Sequence, residues 1–153
     1  MSYSLPATET DKNLDAALAA VSGEIARTDG KASLLLAFNG AVLAGLGAAA
    51  GHRLPTPARV VGALGVLALA AAAVLLLLVV RPRLRGDDRS SFPHWAGLDV
   101  AAIRASMTGD SRAARIRVLS GIAVSKFRHL RQAVDLSLTA LALLALSAAT
   151  AAL

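Results

Sequence analysis

The sequence predicts an all-α membrane protein: three transmembrane helices, with the first and third extended into a small cytoplasmic helical bundle. Three observations lead there. Hydrophobic residues make up 56% of the 153 positions and aromatic residues only 3%. Ala, Leu and Val therefore stand where a soluble core would use bulky rings, a balance suited to helices packed closely through small side chains. Three segments approach or exceed the roughly 20 apolar residues needed to cross about 30 Å of hydrocarbon. Finally, apolar side chains recur at helical steps of three and four in the charged stretches that precede the first and third of these segments.

Residues 1–11 are expected to be a disordered N-terminus, and residues 12–31 a cytoplasmic helix continuous with the first span. The first 31 residues are mixed in charge and largely polar in character, without a basic start followed by the short apolar core of a secretory signal. From Lys12 onward a stripe falls at Leu14, Leu18, Val21, Ile25, Thr28 and Ala32. No proline interrupts it, so helix and span form one rod of about 40 residues. The first span is residues 32–51, broken only by Ser33 and Asn39, and residues 52–59 form a short external loop. The second span, residues 60–80, has no polar side chain. Residues 81–132 are a cytoplasmic linker with helices: "RPRLRGDDRSSFP" has linker composition and "HWAGLDVAAIRASM" reads as one short helix. A second stripe at Ile116, Leu119, Ala123, Phe127, Leu130 and Val134 leads into the third span, residues 133–153. Asp110 or Ser111 is the expected N-cap of that helix. Small residues at Gly40, Ala44 and Ala48, at Gly47 and Gly51, and at Ala58 and Gly62 offer surfaces for close helix approach.

No catalytic constellation is present, so no enzymatic activity is expected. There is no phosphate-binding glycine loop, serine elbow or pair of carboxylates at catalytic spacing. His52, His94 and His129 are scattered, which argues against a metal site. The absence of cysteine excludes thiolate ligands and disulfides. The formal charge of +6 reads as membrane topology; nucleic acid is not an expected partner, because no aromatic residues interleave with the basic run.

The chemistry concentrates where charge meets hydrocarbon. Arg27, Asp29 and Lys31 sit directly before the first span, and Asn39 lies within it. An unpaired amide there would cost several kcal/mol, so Asn39 must face another helix or a wet cavity. Either it makes an interhelical hydrogen bond with a packing role, or it lines a polar mouth with Arg27, Asp29 and Lys31. "SKFRHLR" brings Lys126, Arg128 and Arg131 to the same depth, and such a cluster suits an anion carrying a polar base or sugar. Lys31 and Asp135 each precede an apolar stretch by one residue and are expected to form an interhelical polar pair. The alternative partner of Asp135 is Arg131, one turn back, a pair worth about 0.3–0.5 kcal/mol if exposed.

"ARTDGKASLLLAFNGAVLAG", a span ending in "RPRL", and "SKFRHLRQAV" leading into a last span together resemble the Pycsar transmembrane effector (PycTM) family. The resemblance covers the chain from about Val21 onward and is most specific at Arg-x-x-x-Lys-Ala-Ser…Asn-Gly, Arg27 through Gly40. A Lys-Phe/Tyr motif at Lys126–Phe127 adds to it, whereas "SSFPHW" departs from the family pattern. The resemblance implies a multi-pass protein of the cell inner membrane that acts in antiphage defence. A partner pyrimidine cyclase would supply cyclic CMP or cyclic UMP on infection. The effector, as a homo-oligomer in the lipid bilayer and without a cofactor, would impair the membrane and cause abortive infection. Some relatives carry an additional N-terminal domain; here sensing is expected in the helices themselves. The reading from a different class is a holin-like or scaffold membrane protein with no nucleotide ligand.

Of the 16 Lys and Arg, three precede the first span, two lie between the first and second, and 11 fall between Arg81 and Arg131. The positive-inside rule places the N-terminus and the long loop in the cytoplasm and the C-terminus outside, with Arg81, Arg83 and Arg85 at the anionic inner leaflet. Reporter fusions at Leu153 and within Arg83–Arg89 are expected to report opposite sides of the membrane; cytoplasmic activity at both would overturn the assignment.

Overall fold

The structure, a computed structural model, describes residues 8–49, 51, 54–81 and 92–152. Among them it is all-helical: α1 (Glu9–Ala49), α2 (Thr56–Val80), α3 (Phe92–Trp95), α4 (Val100–Ser106) and α5 (Arg112–Ala151). Three of these, α1, α2 and α5, are long and apolar enough to cross a membrane. Most of the linker, with Arg83 and Arg85, lies outside the described residues, as do His52 and Arg53. The chain divides into two compact units, Met1–Ala26 with Pro82–Ser125, and Arg27–Arg81 with Lys126–Leu153.

In the first unit, α1 starts three residues before the expected Lys12. Thr8 and Asp11 form a reciprocal capping box. The Asp11 amide donates to Thr8 Oγ1 at 3.2 Å, and the Thr8 amide donates to Asp11 Oδ2 at 3.0 Å. The start of α5 is capped by Asp110, whose Oδ1 accepts the Arg112 amide at 3.0 Å. Arg112 also gathers three carboxylates: Asp11, Asp15 at 3.1 Å and Asp110 at 2.9 Å. The stretch expected as one short helix is two. Gly97 donates back to the His94 carbonyl in a turn. Asp99 then caps a new helix by accepting the Ala102 amide at 2.7 Å, as a short oxygen-bearing side chain at that position does.

The second unit contains α2 and the apolar parts of α1 and α5. On α2 the inward positions are Ala58, Gly62, Gly65, Leu69, Ala72, Leu76 and Val79, alternating steps of four and three. On α5 they are Lys126, Leu130, Ala133, Ser137, Ala140, Leu144 and Ser147, with the same alternation. On α1 the stripe beginning at Leu14 passes through Thr28, Ala32, Leu35 and Asn39 without a break. A repeat of 3.5 residues keeps facing its partner only if the helices wrap around one another in a left-handed sense. That spacing corrects the α5 stripe expected from sequence. Phe127 is 43% exposed while Lys126 is 8% exposed, and Ala133 is buried in place of Val134. Choosing Phe127 breaks the alternation; position 126 preserves it, even though its residue is a lysine.

The outward faces carry Leu34, Phe38, Leu64, Leu67, Val74, Leu77 and Leu138, an apolar belt far too continuous for water but suited to lipid. The end of the core nearest Lys31 and Arg81 joins Ala32, Leu76, Val79, Leu130 and Ala133. Close approach occurs between α2 and α5. A Cβ on Gly65 would lie 3.0 Å from Leu144 Cγ and 3.2 Å from the Ala140 carbonyl oxygen, and one on Gly62 would lie 2.9 Å from Ser147 Oγ. Of the small-residue surfaces expected from sequence, the Ala58–Gly62 row makes this contact. A Cβ on Gly40, Gly47 or Gly51 would meet nothing within 4 Å.

Gly65→Val must therefore push α5 away from α2, and is expected to destabilise the detergent-solubilised protein by about 1–3 kcal/mol. Gly47→Ala, with open space and a better helix former, should leave the melting temperature unchanged or raise it; equal effects of the two would refute the packing.

The carboxylates around Arg112 generate a pH dependence. Hydrogen bonds from Thr8, with Arg112 adding to them, lower the pKa of Asp11 below its ordinary 3.8, and the Arg112 guanidinium lowers that of Asp110. Depressed carboxylates stabilise the folded state above their unfolded pKa, and that contribution disappears as pH falls through the folded values. Melting temperature should hence fall as pH drops below about 4. Arg112→Gln should lower it at neutral pH and flatten the acid limb; an unchanged limb would show that other groups control it.

Candidate functional site

Polar contacts between α1 and α5 inside the second unit include an ion pair and a hydrogen bond. Lys126 forms an ion pair with Asp29. Asn39 Nδ2 donates to Ser137 Oγ at 3.0 Å, and Asn39 is fully buried. The sequence separations are 97 and 98 residues. A constant offset means that the two helices run parallel and in register here, so each residue of α1 stands level with the residue about 97 positions later.

Local sequence explains both contacts. Asp29 and Thr28 lie where the α1 stripe leaves its charged half. Ser33 Oγ donates back to the Asp29 carbonyl at 2.9 Å, so its hydroxyl needs nothing from lipid. Asn39 falls on the inward stripe ten residues later, about 15 Å deeper at 1.5 Å per residue. Ser137 is the inward residue of α5 at that level and supplies the partner that an amide in hydrocarbon requires. Asn39 thus occupies the interhelical hydrogen-bonding position, away from the charged end.

The remaining expected site residues gather at that end. Arg27, Lys31, Arg128 and Arg131 are all exposed. Lys31 stands level with Arg128, so the register puts two cations at one height. Counting Arg81, which follows the last turn of α2, this end holds six cations (Arg27, Lys31, Arg81, Lys126, Arg128, Arg131) against Asp29 and, one turn beyond Arg131, Asp135. Lys126 is the only one of the six that is buried. Its ammonium is neutralised inside the bundle, while Asp29 keeps 36% of its side chain exposed. Such an arrangement can accept an anion from the solvent side, because a phosphate could share or take over the carboxylate's partner.

Lys31 and Asp135 do not form an ion pair among the described residues, and both are exposed. Asp135 lies seven positions beyond the residue level with Lys31, about 10 Å along the axis. The apolar parts of α1 and α5 begin at different heights, so counting from each one's own start misaligns them. The carboxylate that does cross is Asp29. Its partner could have been found by continuing the 4-3 alternation from Ile116, Leu119 and Ala123, which arrives at position 126. Ser147 was also missed. Its hydroxyl donates to the Ala58 carbonyl at 2.7 Å and ties the C-terminal part of α5 to the start of α2.

A family model described as the Pycsar effector protein domain, PycTM, matches residues 13–153. No curated protein and no solved structure matches the chain. The matched region takes in both striped helices, all three apolar helices and the charged end with its Asp29–Lys126 pair, and the chain belongs to the Pycsar effector (PycTM) family.

Proposed function

We propose that this protein is the membrane effector of a Pycsar-type antiphage defence system, switched on by cyclic CMP or cyclic UMP from a partner pyrimidine cyclase. Family membership supports the role in defence. The observation that carries the ligand site is the excess of cations around Lys126, which is neutralised by Asp29. The cyclic phosphodiester bears one negative charge and competes with Asp29 for Lys126, while Arg27, Lys31, Arg128 and Arg131 hold the rest of the anion. Asn39 stays in the core and keeps the helices in register. Freed from Lys126, Asp29 is an uncompensated carboxylate at the edge of hydrocarbon, an unfavourable state that α1 and α5 relieve by rearranging. The rearranged bundle impairs the inner membrane and causes abortive infection. The protein works by binding alone, without catalysis or cofactor, with its N-terminus in the cytoplasm as the cation distribution favours.

Leakage from liposomes containing the full chain, with and without added cyclic CMP or cyclic UMP, tests this. The Arg128 side chain has no hydrogen bond or ion pair among the described residues, so Arg128→Ala should insert normally. It should nevertheless need at least roughly tenfold more nucleotide, about 1.4 kcal/mol. Lys126→Ala should abolish the response. Arg59→Ala, at the other end of α2, should not alter it, and Arg83→Ala and Arg85→Ala are expected to behave likewise. Wild-type leakage on nucleotide with no loss in Arg128→Ala or Lys126→Ala would place the ligand elsewhere. Equal wild-type leakage with and without nucleotide would favour the holin-like alternative.

A further inference from the structure

The face of α5 that points away from α1 and α2 carries a second seam, and it is polar where the bilayer is apolar. Two positions beyond each inward residue from Leu130 onward, a little over half a helical turn, lie Gln132, Asp135, Thr139, Ala142, Leu146 and Ala149. Every one of them is exposed, and their spacing repeats the same alternation of three and four. Along the constant register Asp135 stands level with Ala37 and Phe38. That is about 9 Å past Ala32, where the apolar run of α1 begins. At this depth Leu34 and Phe38 face outward, 74% and 48% exposed.

Asp135 is thus a short carboxylate, well inside the hydrocarbon level, on the outer surface of the protomer. Its side chain has no hydrogen bond or ion pair among the described residues. Thr139 donates to its backbone carbonyl at 2.9 Å and so satisfies its own hydroxyl without reaching the carboxylate. A long cation at this depth can reach back to the headgroups, but an aspartate cannot. An ionisable residue there must be covered by protein or water.

We infer that this seam is a self-association surface, covered in the membrane by the same seam of a second, parallel copy of the chain. Copies inserted with the same topology present Gln132 and Asp135 at the same height, so each polar residue meets polar residues and never lipid. Arg131, on the flank of the seam one turn nearer the inner surface, is exposed and has the length to reach the neighbour's Asp135. Deeper in the bilayer the seam changes to Ala142, Leu146 and Ala149, and alanines let two helices approach closely. A polar residue at one level of an otherwise apolar seam also fixes the register of the two copies.

The chain contains no cysteine, so a single introduced thiol reports proximity without background. Ala142→Cys in the full chain, in native membranes under mild oxidant, should give a disulfide-linked dimer of twice the chain mass. Leu67→Cys is the control: it is 65% exposed on α2, two residues from Gly65, which packs on Ala140 and Leu144 at the depth of position 142. It should cross-link at least several-fold less. In the Ala142→Cys background, Asp135→Leu should reduce dimer yield several-fold, although leucine suits a lipid-facing position better than aspartate. Asp135→Arg should reduce it further, and adding Arg131→Asp should restore it. Equal cross-linking at positions 142 and 67, a product with the mass of a different protein, or a yield indifferent to Asp135→Leu would overturn the inference. None of these readouts involves a nucleotide, so the result is independent of which signal the protein senses.

Discussion

The hydrogen bond between Asn39 and Ser137 is small, about 1 kcal/mol in a membrane, yet the alignment of α1 and α5 depends on it. Apolar side chains can slide past one another in lipid with little change in energy, since one leucine neighbour serves as well as the next. An amide and a hydroxyl cannot, because moving either by a turn leaves both unsatisfied in hydrocarbon. Once that contact is set, Asp29 falls opposite Lys126, Lys31 is brought level with Arg128, and Asp135 is placed level with Ala37 and Phe38. The charged end and the outward seam are thus consequences of one alignment.

The 3.5-residue repeat acts at every scale of the second unit. It selects Lys126 over the more apolar Phe127 for an inward position, and it puts Gly62 and Gly65 of α2 beneath Ser147 and Leu144 of α5. A lysine on such a seam is tolerable only because a carboxylate meets it, and that makes the pair a sensitive element. An apolar residue there would pack without consequence. An ionic pair responds to the charge around it, which packing alone does not.

Much of this architecture is legible in the sequence. The three spans, the continuity of α1 from polar to apolar halves and the need of Asn39 for a partner follow from hydropathy, from the absence of proline and from the energetics of a buried amide. What was not legible is relative height. A one-dimensional reading counts each helix from its own apolar start, which paired Lys31 with Asp135. The two helices enter the apolar layer at different points, and Asp29 is the residue that meets its cation. Local hydrogen bonding was also underread. The Thr8–Asp11 box moves the start of α1 to Glu9, and Asp99 splits an apparent single helix, because both depend on a side chain finding an amide three residues away.

The same alignment limits how the bundle can move. Shifting α5 along α1 by one heptad, about 10 Å, would set Asn39 against Leu130 or Leu144 and Asp29 against Leu119 or Ala133. Both polar pairs would be lost together, so axial sliding is blocked in either direction. Rolling α5 about its own axis keeps every residue at its height but carries Lys126 and Ser137 away from Asp29 and Asn39, so it too breaks both pairs. Within the second unit α1 and α5 can therefore exchange neighbours only with both polar contacts opened. Two modest contacts, one ionic and one neutral, act together as a latch on the bundle.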